Sequence, residues 1–127
     1  MKSFSSDMTK WAKKTMSDAG RVSREMKLRV FGGIIRDTRV DTGRLRGNWQ
    51  TSTGSPKMVE IEREFPKGTP DDELIKEPMA NVTAFGVDYM TNNLPYAVVY
   101  EEKDGMVAKN MARVERNLKE AVDSVRS

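Results

Sequence analysis

The sequence predicts an α+β fold: a small, mainly antiparallel sheet packed with a long N-terminal and a long C-terminal helix. Three observations carry that expectation. Apolar residues recur at steps of three and four over 7–39 and again over 106–126, which is the helical period. Between them, Trp49–Thr53 and Lys57–Phe65 have strand character and are bounded by Gly and Pro turns. The length, 127 residues, is that of one domain. Residues 1–127 therefore read as a single unit: a basic helical segment (7–39), an elbow and sheet (40–105) and a C-terminal helix (106–126).

The first helix has Ser6 or Asp7 as its cap, and Met8, Trp11, Ala12, Thr15, Ala19, Val22, Met26, Val30 and Ile34 share one face. Gly20 and Gly32–Gly33 allow a bend or break, so the stretch reads as one helix or two. Lys10, Lys13, Lys14, Arg21, Arg24 and Arg29 occupy the remaining surface. That basic face is either ordinary solvated helix or a surface for DNA or a partner. Val40–Trp49 forms the elbow. Asp41 and Thr42 are cap residues for a short helical turn, Gly43 permits a tight entry, Leu45 and Trp49 face inward, and Arg44 and Arg46 point outward. Taken alone, this is a capped helix-to-strand connection.

Trp49–Thr53 reads as a strand closed by Gly54–Ser55–Pro56. Over Lys57–Phe65, Val59, Ile61 and Phe65 alternate with Glu60, Glu62 and Glu64, a half-buried strand with one wet face. Those glutamates read as solvent-facing rather than as a metal patch. Pro66–Glu73 is a loop, Asp71–Glu77 a short helix stopped by Pro78, and 80–87 either a strand or a turn of helix. Asp88–Asn93 is a strand running into a turn, and Pro95 suits a helix start. Lys103–Asp104–Gly105 is a linker. Val107, Met111, Val114, Leu118, Ala121 and Val125 form the seam of the last helix, supported by a Glu115–Lys119 pair.

Composition narrows the function classes. With 37% hydrophobic and 32% charged residues the chain is lean for a globular domain, so part of its surface is expected to serve partners. Cysteine and histidine are absent. Disulfides, thiol nucleophiles, the usual general base near neutral pH and the commonest metal ligand go with them. The polar start Lys2–Ser6 does not resemble a signal peptide, and no apolar run approaches the roughly 20 residues of a membrane span. The chain reads as soluble and acting where it is made. Residues 1–50 hold 12 basic against 5 acidic residues, and 51–127 hold 10 against 14. That division suits nucleic acid on one side, or head-to-tail contact between copies. Phosphate-loop, H-E-x-x-H, G-x-S-x-G and zinc patterns are all missing. Asp71–Asp72 and Glu101–Glu102 read as solubilising pairs. No enzyme, cofactor or metal is expected.

Two stretches resemble a known family. Val40-Asp41-Thr42-Gly43-Arg44-Leu45-Arg46-Gly47-Asn48-Trp49 is similar to the D-T-G-R-L/F-R-x-x-W segment of tail-completion, or neck, proteins of tailed bacteriophages, the group that includes lambda minor tail protein Z. Asn93-Leu94-Pro95-Tyr96-Ala97-Val98-Val99-Tyr100-Glu101 resembles their N-x-x-P-Y-A-x-x-x-E segment, and Gly105-Met106-Val107 their G-M-V step into a terminal helix. The resemblance covers most of the chain beyond Val30. Two departures stand out: Glu102-Lys103-Asp104 intervenes before the glycine, and Pro66–Pro78 does not align.

The resemblance implies a virion structural protein at the head–tail junction, made in the host cytoplasm and assembled with copies of itself as a ring around the DNA channel. Its partners would be other neck, connector or tail proteins, with nonspecific DNA contact in the channel and no membrane. On this reading Arg44 and Arg46 bond acidic groups of a neighbour, and Trp49 and Tyr96 brace the elbow, with Glu101 also in the contact set. Lys10, Lys13, Lys14, Arg21 and Arg24 face DNA or a partner. Alternatives are the tail terminator of the same machine and a basic DNA-binding module.

Overall fold

A single long helix continues past its glycines, where neighbouring side chains pack close. In the computed structural model, which describes residues 4–113, 116, 118–120, 122 and 123, α1 (Phe4–Asp37) continues for 34 residues. It passes Gly20 and Gly32–Gly33 without a break. A Cβ on Gly20 would come within 2.9 Å of the Phe85 ring, and one on Gly33 within 2.1 Å of Asn110 Oδ1. Close approach by neighbouring side chains there offsets the roughly 1 kcal/mol that glycine costs a helix. The start differs from expectation too: Ser6 and Asp7 lie inside the first turn, not at the cap.

Among the described residues, burial on α1 concentrates in its second half. Val30, Ile34 and Ile35 are buried, whereas Met8, Trp11 and Met16 are 47%, 64% and 59% exposed. The apolar face read from the sequence is thus core from about Val22 onward and open surface before it.

Thr38 ends the helix, its hydroxyl donating to Ile34 O at 2.7 Å. The elbow follows as α2 (Arg44–Gly47), a single turn. Gly43, not Asp41 or Thr42, is its N-cap, with φ 91°. No other residue fits there: a Cβ would lie 2.4 Å from the Phe65 carbonyl carbon and Pro66 N. Thr42 still contributes, its Oγ1 accepting from Arg44 N at 3.2 Å. β1 (Trp49–Thr53) then pairs antiparallel with β2 (Asp88–Asn92), Trp49 opposite Asn92 and Thr53 opposite Asp88.

The strand expected over Lys57–Phe65 does not form. Arg63 falls on the face of Val59, Ile61 and Phe65, and it turns inward to donate to Gly47 O and Trp49 O. Gln50, Asn48 and Asn93 bond Val59 O, Ile61 N and Lys57 O. Side chains therefore satisfy the backbone groups that a ladder would have used. Phe65 is buried, but Met58 and Val59 remain 77% and 69% exposed.

α3 (Asp71–Met79) includes Pro78 in its last turn, one residue beyond the expected stop. Residues 80–87 are bends and coil, with Val82 buried. α4 (Ala97–Asp104) and α5 (Met106–Ala112) meet at Gly105, whose φ of 63° makes the expected linker a one-residue corner. The last helix ends at Ala112 rather than running unbroken to 126, with a turn at Arg113, although residues 116, 118–120, 122 and 123 are again helical. Of its predicted seam, Val107 is half-buried and Met111 and Leu118 are exposed, while Val114, Ala121 and Val125, like Glu115, lie outside the described residues. The architecture is α+β, with one core formed by α1, the elbow, α3 and the start of α5 over a two-stranded sheet.

Candidate functional site

The elbow is rigid for reasons that its residues supply. Leu45 and Trp49 face inward as their spacing requires, at 6% and 5% exposure. Trp49 Nε1 donates to Thr38 Oγ1 at 2.8 Å, tying β1 to the end of α1. Asn48 is completely buried; its amide donates to Arg44 O and its carbonyl accepts from Ile61 N, both at 2.9 Å. Sequence reasoning missed Asn48, although an asparagine between a glycine and a tryptophan after one helical turn was a visible signal.

The fold brings the second stretch against the first. Asn92 Nδ2 donates to Leu45 O at 2.8 Å. Tyr96 and Tyr100 then stand edge to face, with ring centroids 5.9 Å apart. Arg39 lies 4.7 Å from the Tyr100 centroid and is clamped by Asp104 through bonds of 2.7 and 2.5 Å. The Asp104 bond raises the Arg39 pKa, and Arg39 in turn holds the Asp104 carboxyl below its usual range. A cleft of about 320 Å³ results, lined among others by Arg39, Thr42, Arg44, Leu45, Tyr96 and Tyr100. Its walls present aromatic rings and two half-exposed cations, Arg39 clamped by Asp104 and Arg44 paired with Glu60.

The residues expected to make contacts have different roles in the fold. Arg44 pairs with Glu60 at 2.9 Å, both side chains nearly half exposed, so it remains open to exchange partners. Arg46 does not point outward. Its guanidinium donates to Phe65 O at 2.9 Å and Pro66 O at 2.6 Å, and burial lowers its pKa. Carbonyls left without a ladder draw it back over the loop. Trp49 is a core residue, and Tyr96 is half-buried. Glu101 accepts from Val107 N at 2.8 Å and Ala108 N at 3.1 Å, so it caps α5.

The basic face is likewise mixed. Lys10, Lys13, Lys14 and Arg21 are exposed. Asp18 pairs with Lys14 at 3.2 Å and lies 3.8 Å from Arg21. Arg24 donates to Val82 O at 3.2 Å and so belongs to the fold.

One cluster had no sequence signal at all. Lys27 Nζ donates to Thr83 O, Gly86 O and Asp88 Oδ2 at 3.0, 2.8 and 2.8 Å. Asp88 also accepts from Thr83 N, Thr83 Oγ1 and Thr53 Oγ1. Burial pushes the Asp88 carboxyl up, but the bonds from Lys27, Thr83 and Thr53 outweigh it and hold the group far below the usual carboxylate range. The cluster pins 82–88 to α1.

Among the described residues no group of three or more His, Cys, Asp or Glu is placed to hold a metal ion, and no helix is long and apolar enough to cross a membrane. No family model, curated protein or solved structure matches the chain.

Proposed function

We propose that this chain is a virion structural protein of a tailed bacteriophage, a neck component that joins the DNA-filled head to the tail as part of a ring around the DNA channel. The observation that carries the reading is that the two stretches resembling tail-completion proteins share one cleft, with Thr42, Arg44 and Leu45 on one wall and Tyr96 and Tyr100 on the other. A surface of paired charges and aromatic faces suits contact between rigid protein parts. In this role the protein acts with copies of itself and with connector or tail proteins at the head–tail junction. Cofactor, metal and catalytic step have no part in it.

The test is electron microscopy of a lysate in which a stop codon interrupts the gene. Filled heads beside separate tails of normal length are expected. Tails of uncontrolled length would move the assignment to the tail terminator, and intact infectious particles would refute both. A DNA-binding module has less support, because Arg24 is committed to Val82 and Asp18 lies beside Lys14 and Arg21. DNA affinity that survives physiological salt would revive it.

A further inference from the structure

The open half of α1 has a chemistry that the same molecule matches elsewhere but cannot reach. By helical spacing, Met8, Trp11, Ala12 and Met16 form one apolar strip, with Lys14 along its Trp11 side and Lys13 along its Met16 side. All six are exposed. An amphipathic helix face exposing a tryptophan and two methionines is built to lie on something. Between Phe4 and Arg21 there are four basic and two acidic residues, so an acidic counterpart is favoured. Two copies of this basic strip laid against each other would set lysine near lysine.

The counterpart is the stretch that failed to become a strand. Between Glu60 and Glu77 there are seven acidic and three basic residues, and all seven acids are exposed. Met58 and Val59 adjoin them as exposed apolar side chains. Glu62 and Glu64 have no ion-pair partner among the described residues, and neither has Lys13.

Geometry forbids the contact within one chain. Arg36 holds Asp71 through bonds of 2.7 and 3.0 Å, and Arg46 holds Phe65 and Pro66. The acidic stretch therefore sits at the C-terminal end of α1. Lys13 is 23 residues before Arg36 on a continuous helix, which at 1.5 Å per residue is roughly 34 Å away.

We infer that the open half of α1 in one copy docks on the 58–64 stretch of a second copy, with Trp11 and Met8 against Met58 and Val59, and Lys13 and Lys14 against Glu62 and Glu64. The contact is head-to-tail, so each copy keeps one free helix and one free acidic surface. Repetition of such a contact yields a closed ring or an open filament. This deepens the ring reading above and names its two surfaces.

Sedimentation velocity on the purified full chain, over a concentration series at low and high salt, tests it. The wild type should self-associate, less so at high salt. Lys13→Glu/Lys14→Glu and Glu62→Lys/Glu64→Lys should each weaken association by roughly tenfold or more, since each sets like charges opposite one another. Mixing the two variants, or joining all four changes in one chain, should restore it. Trp11→Ala should weaken association while leaving the circular dichroism spectrum unchanged. A wild type that stays monomeric throughout, or a folded four-site variant no better than its parents, would overturn the inference. A monomeric wild type whose interrupted gene still leaves heads and tails apart removes this contact alone. Association alongside intact particles in the interrupted lysate removes the neck reading and keeps the contact.

Discussion

Replacing Asp88 with asparagine probes the fold where it is most concentrated. The carboxylate is 2% exposed and receives Lys27, the Thr83 amide and hydroxyl, and the Thr53 hydroxyl. Asp88→Asn removes the countercharge and turns an amide N–H2 towards groups that are themselves donors. Lys27 is left with only the Thr83 and Gly86 carbonyls, and at 19% exposure it reaches little water. Breaking a buried pair by removing one partner costs 3–5 kcal/mol; the partial exposure of Lys27 sets the expectation at the lower end, about 3 kcal/mol. For a chain of 127 residues, that lowers Tm by roughly 10 °C.

Urea unfolding followed by circular dichroism measures the loss, and a double-mutant cycle with Lys27→Met isolates the pair. Coupling of about 2 kcal/mol is expected, because an unpaired lysine and an unpaired aspartate are each worse than neither. The pH dependence supplies a second check. A carboxyl whose folded pKa is depressed contributes stability that is complete above its unfolded value, near 4, and is lost as pH falls towards the folded value. The wild type should therefore lose its advantage over Asp88→Asn as pH drops below about 4. A cost under about 1 kcal/mol, or additive single changes, would refute the reasoning.

Other perturbations address the elbow and the joint between α4 and α5. Gly47→Ala puts a Cβ 2.0 Å from Arg63 O, and the backbone shift this forces should cost about 1–3 kcal/mol in urea unfolding. Asn48→Ala leaves Ile61 N–H and Arg44 C=O without their partner, and about 2 kcal/mol of stability should go with it. Glu101→Ala removes the cap from Val107 and Ala108 and should cost about 1 kcal/mol. Arg44→Glu should leave the melting temperature within a few degrees of wild type while blocking head–tail joining in a complementation assay, because its Glu60 pair is surface-exposed. Normal particles with that change would remove Arg44 from the contact. The same substitution at Arg46 is a poor probe of assembly, since it would first strip two carbonyls of their donor.

What the sequence disclosed and what it hid follow from the range of the forces involved. Trp49–Thr53 and Asp88–Asn92 were readable because turn residues and β-rich composition act locally, and Leu45 and Trp49 because four-residue spacing fixes a face. The continuity of α1 through its glycines was not readable, because Phe85 and Asn110, distant in sequence, decide it. Lys57–Phe65 alternates like a strand, but Arg63 breaks the pattern with a long side chain that can reach backbone carbonyls across the elbow. In the candidate site, the meeting of the elbow with Tyr96 could be expected only through resemblance. The intramolecular duties of Arg46 and Glu101 could not be read at all, since each depends on where a carbonyl or an amide comes to rest.

The uneven cover on α1 divides one rod into two thermal regimes. Its inner half is buttressed by α3 and α5, so its amides open only with the whole molecule. Its outer half is held by its own hydrogen bonds and by propagation from the anchored turns, and such helix frays on its own timescale. Amides before about Val22 should thus exchange with deuterated solvent orders of magnitude faster than those around Ile34. Assembly would then register as slowed exchange along the segment that carries the exposed Met8, Trp11 and Met16, a readout that needs no enzyme and no labelled partner.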